Sequence, residues 1–144
     1  MMMTEITDRI YIGNIHDALD KSQITGNNIT GILSLSMPLD YQPHTDVFAK
    51  VRLYDGKENP LASYLLAVKT LDTMLKTTVG NVLVHCTEGR SRCPFIVACY
   101  LSWREQIAPD TVLPMISSKH KQTSIHPLHL AMVDEILSTL KHSI

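Results

Sequence analysis

The chain has 144 residues, 44% of them hydrophobic and 19% charged, which is the mix of a globular domain and excludes a disordered chain. Lys and Arg number 13 against 14 Asp and Glu, a formal net charge of -1; that argues against a general polyanion binder and a nucleic-acid track, so any anion handled here is held at a local site. No apolar run reaches the roughly 18 residues of a membrane helix, so no membrane span is expected. The start, Met1-Met2-Met3-Thr4-Glu5, carries no basic-then-apolar leader and no glycine at position 2. Cys86, Cys93 and Cys99 are odd in number and clustered, a poor disulfide framework that suits a reducing interior. The expected localisation is cytoplasmic, with the nucleus second. Asn28-Ile29-Thr30 is then read as an inert glycosylation sequon.

In chain order, Arg9-Ile10-Tyr11-Ile12 alternates and meets Gly13-Asn14, which predicts a short strand and a turn. Residues 17–23 read as a short helix closed by Gly26-Asn27-Asn28, and 29–36 as a second strand built on Ile32-Leu33-Ser34-Leu35. A polar loop with two prolines spans 38–46. A third strand is expected over 47–54, ending at Asp55-Gly56. From 60 to 77, Leu61, Leu65, Val68, Leu71 and Leu75 recur at helical spacing, with Pro60 placed where its missing N–H costs little. Val82-Leu83-Val84 is an unbroken apolar run, the mark of a strand buried on both faces of a parallel sheet. A helix follows from about Pro94, and its residues 95–101 are apolar all round, so it is central and buried. Helices over 109–118 and 127–140 complete the chain, and Trp103, Met115 and Met132 read as core. Strands alternating with helices predict the α/β class: a central, mostly parallel sheet flanked by helices, as a single domain over 1–144.

The informative stretch is His85-Cys86-Thr87-Glu88-Gly89-Arg90-Ser91-Arg92-Cys93-Pro94, between the buried strand and the buried helix. Ligands of α/β sheets bind just past the carboxyl ends of the strands. A loop entering a helix there aims backbone N–H groups and the helix dipole at one point, which makes an anion site. The candidate phosphate-binding residues are Thr87, Glu88, Gly89, Arg90, Ser91 and Arg92. The same field favours thiolate, so Cys86 is the candidate nucleophile. The fork of Arg92 can grip two oxygens of a phosphate-like group, and Gly89 lets the backbone curl. The bland alternative, an inert core cysteine and a surface arginine, leaves the surrounding pattern without a reason.

His85 to Pro94 resembles the signature of the cysteine-based phosphatases: His-Cys, five residues, then Arg. Glu88-Gly89-x-Ser91-Arg92-x-Pro94 resembles the dual-specificity protein phosphatases in particular. The likeness runs from about Arg9 to Leu140. Residues 9–14 and 29–33 look like the family's opening strand and turn and its next strand, and the chain is about as long as the bare catalytic domain. The resemblance implies that Cys86 attacks phosphorus to form a phosphocysteine. The loop amides and Arg92 would hold the equatorial oxygens. The family's acid is an aspartate on a loop after a strand, a place Asp55 occupies; Glu58 is the runner-up. A turn aspartate before glycine is the plain reading of Asp55. His85 is expected to orient the loop through hydrogen bonds. The implied substrate is a phosphoprotein bearing phosphotyrosine or phosphoserine/threonine, and no cofactor is implied.

Two positions depart from the family pattern. Cys93 stands where the family has Ser or Thr; a thiol is a weaker donor, so Cys93 is either a packed filler or a redox partner of Cys86. Ile125-x-Pro127 resembles a family element usually followed by Asn, but Leu128 follows here. Arg90 adds charge to the loop, either pointing outward or favouring more anionic substrates, and Glu88 either braces the loop or offsets it. That leaves a second reading, a phosphatase of phosphoinositides or RNA 5′-phosphate ends, and a third, a phosphate-binding module without turnover. Among seven histidines, His126 and His129 are three apart, but no Cys-x-x-Cys accompanies them and no metal site is expected. No segment before Arg9 is long enough to wall in a deep slot, so a shallow pocket admitting both phosphoresidue classes is expected. The sequence carries no signal of oligomeric state.

Overall fold

A computed structural model describes residues 2–36 and 41–142. Its elements are β1 (Thr4–Glu5), β2 (Ile10–Gly13), α1 (Ile15–Leu19), α2 (Lys21–Gly26), β3 (Ile29–Ser34), β4 (Val47–Lys50), α3 (Leu61–Thr77), β5 (Asn81–His85), α4 (Arg92–Arg104), α5 (Pro109–Lys119), α6 (Pro127–Leu130) and α7 (Val133–Lys141). The strands form one sheet in the order β1-β2-β5-β3-β4. β5 lies between β2 and β3, parallel to both, β4 continues the parallel set, and β1 is antiparallel at the edge. The expected α/β class and mostly parallel sheet are thus present.

The apolar run of β5 explains its central place. Val82 and Val84 point to one face, into a core with Leu33, Val68, Leu71, Phe95 and Ile96; Leu83 points to the other, against Ala18, Ile24 and Ile32. All three are fully buried, as a strand covered by helices on both sides requires. α4 is buried from Cys93 through Cys99 and is packed by α3, α5 and α7. The carboxyl end of β5 and the amino end of α4 therefore meet at the centre of one sheet edge, joined by six residues.

Several boundaries differ from the sequence expectation, each for a local reason. The helix expected over 17–23 is two short helices broken at Asp20, whose carboxylate accepts from the amides of Ser22 and Gln23 and starts α2. α1 begins with a capping box between Asn14 and Asp17. The third strand stops at Lys50 instead of 54; past it, the carbonyl of Leu53 accepts from the Arg92 guanidinium rather than from a neighbouring strand. The helix expected from Pro94 begins at Arg92. The last helix, expected unbroken over 127–140, is divided by a turn after Leu130. β1 was not foreseen; two residues are too short to carry a period. Of the loop expected at 38–46, residues 38–40 lie outside the described residues. Trp103, Met115 and Met132 sit partly buried at the margin of the main core.

Candidate active site

The loop from Cys86 to Ser91 is held from outside by its carbonyls. Thr87 O accepts from Ile15 N at 3.2 Å, Arg90 O from Ser124 N at 2.7 Å, and Gly89 O from His120 Nε2 at 2.6 Å. Trans peptides point C=O and N–H in opposite directions. These bonds therefore turn the N–H groups of Glu88, Arg90 and Ser91 into the loop. Gly89 has φ +72°, and a Cβ there would stand 3.0 Å from Gly13 O, so both the conformation and the space call for glycine. His120 is buried; its Nδ1 lies 2.6 Å from the Thr4 hydroxyl, which leaves Nε2–H to donate to Gly89. Sequence reading passed over His120 and Thr4 because their partners lie 31 and 116 residues away.

Cys86 is buried at the base of this loop, with its Sγ 3.3 Å from Cys93 Sγ. Its pKa falls from 9.0 to about 6. The Cys93 side-chain bond is the largest cause, opposed by burial and assisted by the backbone N–H groups of Cys93 and Gly89 and the charge of Arg92. Cys93 goes the other way: full burial, and the anion beside it, keep it a thiol. The thiol at 93 thus occupies a donor's place toward the sulfur of Cys86.

Arg92 opens α4, and its Nη1 donates to Leu53 O at 2.9 Å and Leu35 O at 3.3 Å. Those carbonyls close the ends of β3 and of the segment after β4, so the guanidinium plane is fixed by the sheet. Its Nε is buried and has no hydrogen-bond partner among the described residues, a donor suited to an anion oxygen. His85 is buried and neutral, its pKa lowered to about 4 chiefly by burial. Its Nδ1 lies 3.3 Å from Cys86 O and its Nε2 2.8 Å from the Tyr41 hydroxyl, so Nδ1–H donates to the loop and Tyr41 donates to the ring.

Asp55 reaches this centre from the loop between β4 and α3. Its Oδ1 accepts from His129 Nε2 at 2.9 Å. Burial alone would raise its pKa; hydrogen bonds from Ser91 and His129 and the charge of Arg92 outweigh that and hold the carboxyl below its usual range. Ser91 also takes the amide of His126 on its Oγ at 2.9 Å, so its hydroxyl proton is free to face Asp55. Asn59 clamps the loop: its Oδ1 accepts from Tyr54 N at 2.8 Å and its Nδ2 donates to Tyr54 O at 2.9 Å.

Cys86, Arg92, Ser91 and Asp55 are therefore brought together, with Cys93 and His85 in support. The side chains of Glu58, Glu88, Arg90 and Thr87 are exposed, and the Thr87 hydroxyl bonds Ser36 at 3.3 Å. Besides His120 and Thr4, sequence reading missed Tyr64 and Asn59 and the place of His129 beside Asp55. Their one signal is a histidine inside the otherwise apolar Pro127-Leu128-His129-Leu130. His126 and His129 are weighed there as a pair, yet their rings do different work: His126 caps α6 through Nδ1 to Leu128 N, while His129 turns inward to Asp55. Among the described residues no group of three or more His, Cys, Asp or Glu is placed to hold a metal ion, and no helix is long and apolar enough to cross a membrane.

Known proteins share both the sequence pattern and this architecture. The Arabidopsis thaliana dual specificity protein phosphatase 1B is 24% identical over 96% of this chain and 84% of its own length. Human dual specificity protein phosphatase 15 is 30% identical over 72% of this chain, which spans 37% of that relative. Crystal structures of human DUSP28 and of DUSP15 superpose with TM-scores of 0.83 and 0.84 at 17% and 22% identity. The first match covers 96% of this chain and 95% of the other, the second 99% and 97%. The family model "Dual specificity phosphatase, catalytic domain" matches residues 10–136, a span that takes in β2, Asp55, the Cys86–Arg92 loop and His129, and the chain belongs to that family.

Proposed function

We propose that this chain hydrolyses phosphate monoesters of tyrosine and of serine or threonine in proteins, through a phosphocysteine on Cys86. The observation that carries this reading is a buried Cys86 sulfur 3.3 Å from the Cys93 thiol, which with the loop amides and Arg92 lowers its pKa to about 6, beside an arginine whose buried Nε has no hydrogen-bond partner among the described residues. The Cys86 thiolate attacks phosphorus as the ester oxygen departs. Asp55 gives that oxygen its proton, and the loop amides and Arg92 hold the equatorial oxygens where charge spreads. In the second step Asp55, now a carboxylate, takes a proton from water, whose oxygen attacks phosphorus and releases Cys86 as thiolate. Cys93 donates to that leaving sulfur. The low pKa of Asp55 belongs to the protein without substrate; a phosphate dianion beside it favours the protonated form that the first step needs. Arg90 is exposed, and nothing among the described residues of the site favours a phosphoinositide or an RNA end over a phosphoprotein; the cytoplasm, or the nucleus, is the proposed location.

The test is turnover of an aryl phosphate and of matched phosphotyrosine and phosphothreonine peptides by wild type and by Cys86→Ser. A drop of roughly a thousandfold or more, with phosphopeptide binding retained, is expected for loss of the nucleophile. Turnover above roughly 1% of wild type would rule out the covalent route. Binding without turnover in the wild type would leave a phosphate-binding module instead.

A further inference from the structure

We propose that His129 is a positioning residue for the acid: oriented by Tyr64, its imidazole holds the Asp55 carboxyl in register with the Cys86–Arg92 loop and thereby sets the rate for substrates whose leaving groups need a proton. This rests on the reading of Asp55 as the acid.

His129 is fully buried. Phe95 of α4 stacks on its ring at 5.6 Å and 26°, and Tyr64 of α3 meets it edge-on at 5.8 Å. The charged and titratable groups that face it are Asp55, His126 and Arg92; Tyr64 faces Asp55 and Cys99 in addition. Two of the three neighbours of the imidazole are basic, and the walls are aromatic, so the neutral ring is favoured, and burial lowers its pKa first of all. A neutral imidazole has one donor and one acceptor. Nδ1 lies 2.8 Å from the Tyr64 hydroxyl, which donates to it, and Asn59 Nδ2 donates to the same hydroxyl oxygen at 3.3 Å. Nε2 therefore carries the hydrogen and donates it to Asp55 Oδ1 at 2.9 Å.

The chain Asn59–Tyr64–His129–Asp55 joins the acid's own loop to α3 and α6. Because Oδ1 takes the Nε2–H donor, the proton of the acid form belongs on Oδ2, so the bond distinguishes the two oxygens of the carboxyl. The same bond serves both protonation states, since a neutral carboxyl also accepts through Oδ1. His129 itself touches no reacting atom; it acts through Asp55.

Three variants and two measurements test this. His129→Phe keeps the ring volume and removes the donor, His129→Gln returns an N–H donor at similar reach, and Tyr64→Phe removes the hydroxyl that selects the tautomer. kcat/KM across a series of aryl and alkyl phosphates should fall roughly tenfold in His129→Phe for poor leaving groups and change little for p-nitrophenyl phosphate. His129→Gln should recover most of that loss, and Tyr64→Phe should show the same dependence more weakly. In an Asp55→Asn background, His129→Phe should add no further leaving-group dependence. By carbon NMR, the Asp55 carboxyl should titrate at higher pH in His129→Phe, since a donor to its ionised form is gone. By nitrogen NMR, His129 in the wild type should be the neutral Nε2–H tautomer at pH 7. A folded His129→Phe with wild-type leaving-group dependence and wild-type Asp55 titration overturns the proposal. So does an Nδ1–H tautomer or an imidazolium at pH 7, a readout that needs no variant to fold. Asp55→Asn without any leaving-group effect would refute the assignment of the acid instead, and the two failures are distinguishable.

Discussion

The thiol at position 93 offers a direct measure of how this site makes its nucleophile. A pKa of about 6 in place of 9.0 for Cys86 corresponds to roughly 4 kcal/mol in favour of the thiolate. The bond from Cys93 across 3.3 Å is the leading cause. Hydrogen bonds to charged groups are worth about 1.5–3 kcal/mol, and a weak S–H donor belongs at the lower end. Cys93→Ala should therefore raise the Cys86 pKa by about one pH unit, to near 7. At pH 6 the thiolate fraction would fall from about one half to about one tenth. Cys93→Ser, with a stronger donor, should leave the pKa at or below that of the wild type and speed breakdown of the phosphoenzyme. The assay is the pH dependence of Cys86 alkylation by iodoacetamide in each variant, with rapid-quench trapping of the phosphoenzyme. An unchanged midpoint in Cys93→Ala would refute the reasoning, and would assign the lowered pKa to Arg92 and to the amides of Gly89 and Cys93.

The same short separation predicts a redox response. Hydrogen peroxide should convert the Cys86 thiolate to a sulfenic acid, which the Cys93 thiol then attacks, forming the disulfide and releasing water; intact-mass analysis should show the loss of two hydrogens, reversed by dithiothreitol, and a sulfinic acid alone would count against it. Acid should destabilise the fold well before its carboxylates titrate. Burial lowers the pKa values of His85, to about 4, and of His120 and His129, so between about 6.5 and 4 the unfolded chain binds more protons, and stability falls as pH falls. His85 alone should make the protein roughly 2 kcal/mol less stable at pH 5 than at pH 7, readable from denaturant midpoints; a flat or opposite trend would mean that these rings charge in place. Gly89→Ala places a Cβ 3.0 Å from Gly13 O at φ +72°. Turnover should fall roughly ten- to a hundredfold through displacement of the loop, while the thermal midpoint moves by a few degrees at most; unchanged kcat/KM would show that the loop tolerates the shift.

The Cys86–Arg92 loop was legible in the sequence because its determinants are close in the chain. An unbroken apolar run of three suits a strand covered on both faces, an all-round apolar helix suits a place beneath other helices, and the six residues between them must turn where the two ends meet. Asp55 was named as an acid through the family resemblance; its own neighbours, an aspartate before a glycine, read as a turn. What surrounds these groups was decided by tertiary packing. The third strand ends at Lys50 because the Leu53 carbonyl, beyond it, goes to Arg92, 39 residues ahead. His129 became the partner of Asp55, 74 residues away, because α6 turns one histidine inward against Phe95 and Tyr64 while His126, three residues before, caps the same short helix. Periodicity and turn chemistry act over a few residues, and they determined the elements and the loop that joins them. A buried donor or acceptor takes whichever partner the packed helices bring within about 3 Å, and that choice is made only when the chain has closed on itself.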